Sequence, residues 1–483
     1  MSLALSLLLD GAAEGAVPAL HVDHVEADSR RVKPGDVFFA LPGLKVHGDA
    51  FLTDVREKGA EAVVSDRVPA VDPGLPVVVV ADVRAAYARA AARLASGIPD
   101  VMVGVTGTNG KSSVVSFVRQ IWAAAGIRGA SLGTVGLETD AGLDPRALTT
   151  SDPQALHADL AALKAQGIEH VAMETSSQGL DQRRVDGIRF RAVAFTNLSR
   201  DHLDYHADMD AYRDAKLRLF TTLLAEGGAA VVNTDDPEHM PFLFAALDRG
   251  ATVLTVGAEG GYLEIGTVTN EGYAQRVEAR LVGEPISFLL PLTGAFQVSN
   301  AAMALALAVA TGADPAQAVA ALNHLKGAKG RLDPVATHKG AAVFVDYAHK
   351  PVALESALHA LRPFVRNRLI LVFGCGGDRD TGKRPIMGAV AENQADVVIV
   401  TDDNPRTEDA AGIRRQILAA VPKAEEIPDR RDAIRHAVGM LQDGDVLLIA
   451  GKGHEYYQIT GTEKQHFSDH EEVLDAIREN QRP

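Results

Sequence analysis

The feature that most constrains this chain is the run Val103-Gly-Val-Thr-Gly-Thr-Asn-Gly-Lys-Ser-Ser113. Residues 101–105 before and into it are apolar and β-branched enough for a buried strand, and residues 111–125 carry apolar side chains at helical spacing. A strand–glycine loop–helix unit points backbone N–H groups and the positive end of the helix at a phosphate chain. Gly107, Thr108, Asn109 and Gly110 would wrap the phosphates, Lys111 would reach the outer ones, and the Ser112 hydroxyl would hold Mg²⁺. Five residues separate Gly104 from Gly110, where the general phosphate-loop pattern has four. A glycine turn followed by a chance Gly-Lys-Ser is the competing reading. The expectation is a user of a nucleoside triphosphate.

Length and composition set the frame around that loop. A chain of 483 residues suggests about three domains, and 47% hydrophobic residues suffice for several cores. The net charge of −15 argues against nucleic-acid binding, which needs a basic face. One cysteine, Cys375, excludes an internal disulfide and fits a reducing compartment. The apolar run 2–9 is short, lacks a basic leader, and reads as a helix or strand of the fold, not a signal peptide. No stretch of about 20 apolar residues exists to span a membrane. A soluble cytoplasmic protein is expected.

Three blocks follow along the chain, at 1–98, 99–332 and 333–483. The first is a smaller α/β block with β-type runs at 37–41, 62–65 and 77–80 and a helical run at 83–96 that stops at Gly97-Ile98-Pro99. The central block alternates strands (168–173, 192–196, 229–232) with amphipathic segments, the pattern of a P-loop-type parallel sheet flanked by helices. Gly327-Ala-Lys-Gly330 punctuates its end. The last block reads as a Rossmann-like α/β domain, with strands at 341–345, 369–373, 397–401 and 446–450 and helices at 351–361, 411–421 and 431–441. Its run Gly374-Cys-Gly-Gly377 fails the dinucleotide fingerprint because Arg379 stands at the third glycine position, so no nicotinamide cofactor is expected.

Two acids and bases follow strand ends. Glu174 closes a strand in Met173-Glu-Thr-Ser-Ser-Gln-Gly-Leu180, where an α/β sheet gathers its ligands, so it either holds a metal or is merely solvated. Phe195-Thr-Asn-Leu-Ser-Arg-Asp-His-Leu-Asp-Tyr-His206 follows the next strand. His202 and His206 have the i, i+4 spacing of a helical zinc pair, but no glutamate or third ligand nearby completes one. A single histidine sharing Mg²⁺ with phosphate oxygens is the better functional reading, an exposed polar turn the bland one.

The form Thr106-Gly-Thr-Asn-Gly-Lys-Ser112, Glu174-Thr-Ser-Ser177, the 195–206 stretch and Tyr212-Arg-Asp-Ala-Lys216 together resemble the Mur ligase and folylpolyglutamate synthetase superfamily. The resemblance continues through Asp346-Tyr-Ala-His349, Gly377-Asp-Arg379, Asp403-Asn-Pro-Arg406 and Gly451-Lys-Gly-His-Glu455. It also includes Asp28-Ser-Arg30 and Gly35-Asp-Val-Phe-Phe-Ala-Leu41, so it spans essentially the whole chain. Such enzymes join a carboxylate to an amine at the expense of ATP. Within the family the set is most similar to the branch that adds diaminopimelate in peptidoglycan assembly.

The resemblance implies roles position by position. Ser29 and the loop Gly43 to Gly48 would bind the UDP end of a UDP-N-acetylmuramoyl-dipeptide, and Thr149, Thr150, Ser176, Gln182 and Arg184 its muramoyl-dipeptide. Glu174 and His202 would hold Mg²⁺ together with Lys216, which is carbamylated in the family. CO₂ on a neutral amine creates an oxygen ligand suited to Mg²⁺. Without the resemblance, Lys216 reads as a surface lysine on the 211–219 helix. Asn300, Arg331 and Asp346 would contact the nucleotide, and the third domain would close on it. Arg379, Asp403, Asn404, Arg406, Gly451 and Glu455 would bind meso-diaminopimelate, and a monomer is implied. Gln297 stands where the family carries asparagine, Gln178 where it carries histidine, and the loop Gly43-Leu-Lys-Val lacks a histidine–glutamine pair. A lysine-adding or folate-glutamylating ligase, and a nucleotide-binding switch without ligase activity, are the rival readings.

Overall fold

The computed structural model describes residues 2–43, 46–144 and 148–480. They divide into two compact units, Met1–Glu264 with Met303–Ala318, and Ile265–Ala302 with Val319–Pro483.

The first unit carries a two-stranded antiparallel pair, Leu3–Ala4 with His21–Val22, and two larger sheets. A parallel sheet runs in the order Val25–Glu26, Val37–Ala40, Ala62–Ser65, Val77–Val79. Every residue of Val37–Ala40 and Ala62–Ser65 is buried, which is why both read as continuous apolar runs without alternation. Helices Leu5–Leu9 and Val83–Leu94 share one core with this sheet, and Leu52 and Val55 of helix Leu52–Glu57 lie in a second. The N-terminal apolar run is thus a two-residue strand, Leu3–Ala4, leading into a short helix.

The larger sheet places Val101–Thr106 between His170–Glu174 and Phe190–Phe195, all parallel. Gly129–Leu132 flanks it on one side, and Leu224–Asn233 and Thr252–Gly257 on the other. Val105 pairs with Glu174 and Thr106 with Phe195, so three strands end level with one another. In a parallel sheet these carboxyl ends are where ligands gather.

The second unit holds the sheet Asp333–His338, Ala341–Asp346, Val446–Ala450, Leu369–Phe373, Val397–Val400, Glu425–Glu426, parallel except for its first strand. Separate cores cover its two faces. Residues of Pro351–Leu361, Lys383–Gln394 and Ala410–Leu418 pack on one, those of Arg430–Gly439 and Asp469–Asn480 on the other. This is the doubly covered α/β arrangement expected of the last block. One departure from simple strand–helix alternation is the antiparallel pair Ala274–Leu281 and Glu284–Leu290. Val282 (φ 52°) and Gly283 (φ 82°) both adopt left-handed backbone there, the requirement of a tight two-residue hairpin turn.

Candidate active site

The spacing misfit of the phosphate loop resolves in the fold. Gly104 lies within the strand, paired with Met173 and Val193, and a Cβ on it would sit 3.0 Å from Leu219 and Phe190 side-chain atoms. The loop proper is Gly107-Thr-Asn-Gly110. Gly107 has φ 146°, and a Cβ there would meet Thr196 Oγ1 at 1.9 Å, so only glycine fits. Gly110 (φ 85°) precedes helix Lys111–Ala124 and leaves the helix's first N–H groups facing the loop.

The loop is clamped to the end of strand Phe190–Phe195. Thr108 N donates to Asn197 O at 2.8 Å, Asn109 N to Asn197 Oδ1 at 2.9 Å, and Ser199 N to Thr108 Oγ1 at 3.0 Å. Thr196 Oγ1 donates to Asn109 O at 2.6 Å. Lys111 curls back, its Nζ donating to Gly107 O at 2.8 Å and Thr108 O at 2.9 Å. Ser112 is buried in the helix's first turn. The loop is braced by these bonds and leads into a helix N-terminus beside the Lys111 ammonium, a combination suited to a polyphosphate.

Lys216 reaches the same loop. It leaves helix Met209–Arg218 with 1% exposure, donates to Gly107 O at 2.8 Å and lies 4.3 Å from the centre of the Tyr212 ring. Tyr212 in turn shares a 3.1 Å hydrogen bond with Thr108 Oγ1. His202, in left-handed backbone at φ 52°, stacks edgewise toward Tyr212, with its Nε2 3.3 Å from Asp201 Oδ2. His206 turns elsewhere: its Nε2 meets Ser177 Oγ at 3.0 Å, so it does not form a zinc pair with His202.

Glu174 is 1% exposed. Its Oε1 accepts from Thr134 N at 2.8 Å and its Oε2 from Thr134 Oγ1 at 3.2 Å, both neutral donors. Gly133 permits this, because a Cβ there would sit 2.2 Å from Glu174 Oε1. A buried carboxylate held by neutral groups suits a cation. With Ser112, His202 and the oxygens a carbamate on Lys216 would add, the donor set is oxygen-rich and fits Mg²⁺. Among the described residues no cluster of three histidine, cysteine or acidic side chains is poised to hold a metal by itself.

Hydroxyls of the predicted muramoyl-dipeptide residues reach Glu174 by two routes, one to its carboxylate and one to its backbone carbonyl. Thr134 Oγ1 and Thr149 Oγ1 are 2.9 Å apart, and Thr150 Oγ1 donates to Glu174 O at 3.1 Å and lies 3.1 Å from Ser176 Oγ. Ser176 also caps helix Ser177–Asp181. Arg184 donates to Thr150 O at 2.8 Å and to Gln182 Oε1 at 2.7 Å, and burial pulls its guanidinium below the ordinary arginine value. Gln182 and Arg184 line a cleft together with Asp28, Arg31, Arg84 and Tyr87. Sequence reasoning did not reach Thr134, Arg84 or Tyr87. Ser29 is tied by its carbonyl to Lys58 Nζ at 2.8 Å, while Leu44 and Lys45 of the Gly43 to Gly48 loop lie outside the described residues.

In the second unit, Asp346 Oδ2 accepts from Leu332 N at 2.6 Å and Oδ1 from Ala348 N at 2.7 Å, and burial raises its carboxyl above the usual value. Arg331 lies over the Tyr347 ring at 4.8 Å. Asn300 donates to Gln297 Oε1 at 3.1 Å, so the glutamine that departs from the family pattern braces that asparagine. Arg406 (φ 52°) donates through Nη1 to Gly377 O at 2.8 Å, and its backbone joins Ile459 and Gly461. Asn404 donates to Glu455 Oε2 at 2.9 Å, and Asp403 Oδ1 accepts from Asn404 N at 2.7 Å. Gly451 (φ 118°) is required beside Asp403, whose Oδ2 a Cβ would approach to 2.6 Å. Arg379 is exposed in the turn after Gly377. Cys375 is buried, with Sγ 3.7 Å from Met387 Sδ, and burial pushes its thiol up to about 12, which disfavours the thiolate a nucleophile needs.

A phosphate loop and a buried acid at adjoining strand ends, a buried lysine brought to the loop by a helix, and a second α/β unit with its own acid–amide–arginine cluster are the parts of an ATP-dependent ligase. The chain belongs to the Mur ligase family. Its residues 21–103 match the model described as "Mur ligase family, catalytic domain", 105–308 "Mur ligase middle domain" and 330–453 "Mur ligase, glutamate ligase domain". It is 53% identical over 470 residues to the UDP-N-acetylmuramoyl-L-alanyl-D-glutamate–2,6-diaminopimelate ligase of Mesorhizobium japonicum, covering 96% of this chain and 97% of that protein. The ligase of the same name from Caulobacter vibrioides is 47% identical, over 94% of this chain and 95% of its own. A solved ligase of this name superposes at TM-score 0.72 with 32% identity over the whole of both chains. A folylpolyglutamate synthase of Mycobacterium tuberculosis shares the fold at TM-score 0.63 and 20% identity, over 76% of this chain and 92% of that one. Among the described residues no helix is long and apolar enough to cross a membrane.

Proposed function

We propose that this chain joins meso-diaminopimelate to the D-glutamate γ-carboxylate of UDP-N-acetylmuramoyl-L-alanyl-D-glutamate, forming an amide and releasing ADP and phosphate in peptidoglycan precursor synthesis. The observation that carries this reading is the hydroxyl chain Thr149–Thr134–Glu174 beside the phosphate loop. It joins the residues assigned to the acceptor peptide to the acid assigned to the metal.

A free carboxylate is a poor electrophile, so it first takes the γ-phosphoryl group of ATP as an acyl phosphate. Gly107 to Gly110 and Lys111 hold the polyphosphate and neutralise the charge that moves. Thr149, Thr150, Ser176, Gln182 and Arg184 fix the acceptor carboxylate in line, and Ser29 with its neighbouring loop anchors the UDP end. Asn300, Arg331 and Asp346 hold the nucleotide. Ser112, Glu174, His202 and the carbamate of Lys216 would hold Mg²⁺, which when bound supplies Lewis-acid stabilisation of the transferring phosphoryl group. The amine of diaminopimelate, gripped by Arg379, Asp403, Asn404, Arg406, Gly451 and Glu455, attacks the acyl carbon, and phosphate leaves. The protein contributes position and electrostatics more than covalent chemistry. The domains would follow residues 1–98, 99–332 and 333–483, in a cytoplasmic monomer.

The test is the purified protein with ATP, Mg²⁺, UDP-muramoyl-dipeptide and a panel of amines. ADP release that requires both the peptide and diaminopimelate supports the reading. ATP turnover indifferent to either substrate points to a switch, and turnover with lysine as the better amine to the lysine-adding relative.

A further inference from the structure

Lys452 has a different place from the residues so far assigned. Its side chain is fully buried, at 0% exposure, in the turn after strand Val446–Ala450. Burying an ammonium is costly unless its hydrogen bonds and its charge are both answered. Here both are. Nζ donates to Asn404 Oδ1 at 3.0 Å and to Glu455 Oε2 at 3.2 Å.

The consequence falls on its two partners. Asn404 Oδ1 also accepts from Ile459 N at 2.9 Å, so two donors fix that atom as the oxygen and leave the amide NH₂ only one way to face. It faces Glu455, donating to Oε2 at 2.9 Å. Glu455 Oε2 therefore takes both bonds, while Oε1 accepts none among the described residues. Asp403 shows the same division. Its Oδ1 accepts from Asn404 N, and its Oδ2 is buried without a partner among the described residues. Two carboxylates of one cluster each present one unclaimed oxygen, and an ammonium carries three donors to spend on such acceptors.

Resting on the diaminopimelate reading above, we infer that Lys452 is a positioning residue for the amine substrate: it orients the Asn404 amide and claims Glu455 Oε2, so that Glu455 Oε1 and Asp403 Oδ2 stay open for the substrate's ammonium. Without the lysine, Glu455 is a partly buried acid with only the Asn404 bond, and Asn404 is free to turn over. Arg430 makes no hydrogen bond to either carboxylate among the described residues: its Nε and Nη2 pair with Asp469 at 2.8 Å, and its Nη1 is buried without a partner, close enough to act on both acids only through its charge.

The test compares wild type, Lys452→Met and Lys452→Gln in steady-state ligation, with diaminopimelate, ATP and UDP-muramoyl-dipeptide varied in turn. Lys452→Met is expected to raise KM for diaminopimelate about tenfold or more while the other two KM values stay within twofold. A second prediction separates positioning from bulk stability. Adding Glu455→Gln to Lys452→Met restores thermal stability by removing the unpaired acid, yet leaves KM for diaminopimelate no better than in Glu455→Gln alone. Should Lys452→Met fail to fold, Lys452→Gln, which keeps a donor without the charge, gives the same reading. A rise below fivefold in the variant that folds, or equal rises in all three KM values, overturns the inference. A wild-type enzyme that does not use diaminopimelate overturns the underlying reading instead.

Discussion

Lys216 and Gly107, 109 residues apart in sequence, meet in a 2.8 Å hydrogen bond from the lysine ammonium to the first carbonyl of the phosphate loop. A lysine with 1% exposure is rare unless its charge is engaged, and here the loop carbonyl and the Tyr212 face engage it. The same placement puts a carbamate, if one forms, within the loop's own neighbourhood, as an acceptor where a donor now stands.

Lys216→Ala is accordingly expected to lose nearly all ligase activity while keeping its fold. Millimolar formate or acetate should return part of it by supplying oxygens in the vacated space. Wild-type turnover in Lys216→Ala, measured as ADP release, would remove the carbamate from the proposal.

Lys111→Ala separates phosphoryl transfer from substrate recognition. Lys111 bonds to the loop's own carbonyls, whereas Arg184 and Gln182 line the cleft on the other side of Thr150. Acyl-phosphate formation should fall by two orders of magnitude or more, on the scale of roughly 3 kcal/mol for a lost charge-assisted contact. Calorimetric affinity for the UDP-substrate should stay within a few-fold of wild type, and an equal loss there contradicts the division.

His157 supplies a pH signature independent of catalysis. It is 1% exposed, neither ring nitrogen has a hydrogen-bond partner among the described residues, and burial lowers its pKa from 6.5 to about 4. Below pH 6.5 the unfolded chain takes up a proton that the folded chain refuses until about pH 4. Stability from this group is therefore complete above the upper value and is lost as pH falls toward the lower one. The loss reaches about 3 kcal/mol, since each tenfold difference in proton affinity between the folded and unfolded chain is worth about 1.4 kcal/mol. In urea titrations, His157→Leu should show a shallower decline than wild type between these values. Parallel curves would show that the histidine is protonated in the folded state.

Much of this was legible in the sequence because strongly apolar strands and glycine-marked loops leave local traces. The runs at 62–65, 369–373 and 446–450 are the strands observed, and the helix expected at 351–361 has those bounds. The five-residue glycine spacing departs from the general pattern because Gly104 packs against Leu219 and Phe190 within the strand and is not part of the loop. What no local pattern reveals is pairing across distance. Nothing local to Thr134 announces that it holds Glu174 forty residues on. Lys452 stands between two glycines, and only the fold brings Asn404, 48 residues earlier, to its ammonium. The hairpin at Val282-Gly283 was hidden because its strands are half exposed and the first of them mixes charged and apolar residues without a run.

Arg406 is expected to carry the choice of amine. Diaminopimelate ends in an amino-carboxylate where lysine ends in an ammonium alone, and a guanidinium offers a carboxylate two parallel bonds but repels an ammonium. Arg406 Nη1 is anchored on Gly377 O, and Gly376 lies so close that a Cβ would approach that nitrogen to 3.0 Å, so the guanidinium is held in one place at the glycine turn. A charge-assisted bond contributes roughly 1.5–3 kcal/mol, so Arg406→Ala should cost one to two orders of magnitude in kcat/KM for diaminopimelate. Arg406→Lys should recover little of it, because an ammonium lacks the planar fork. The ratio of kcat/KM for diaminopimelate to that for lysine is the decisive measurement. If that ratio in Arg406→Ala equals the wild-type ratio, selectivity resides elsewhere in the Asp403–Glu455 cluster.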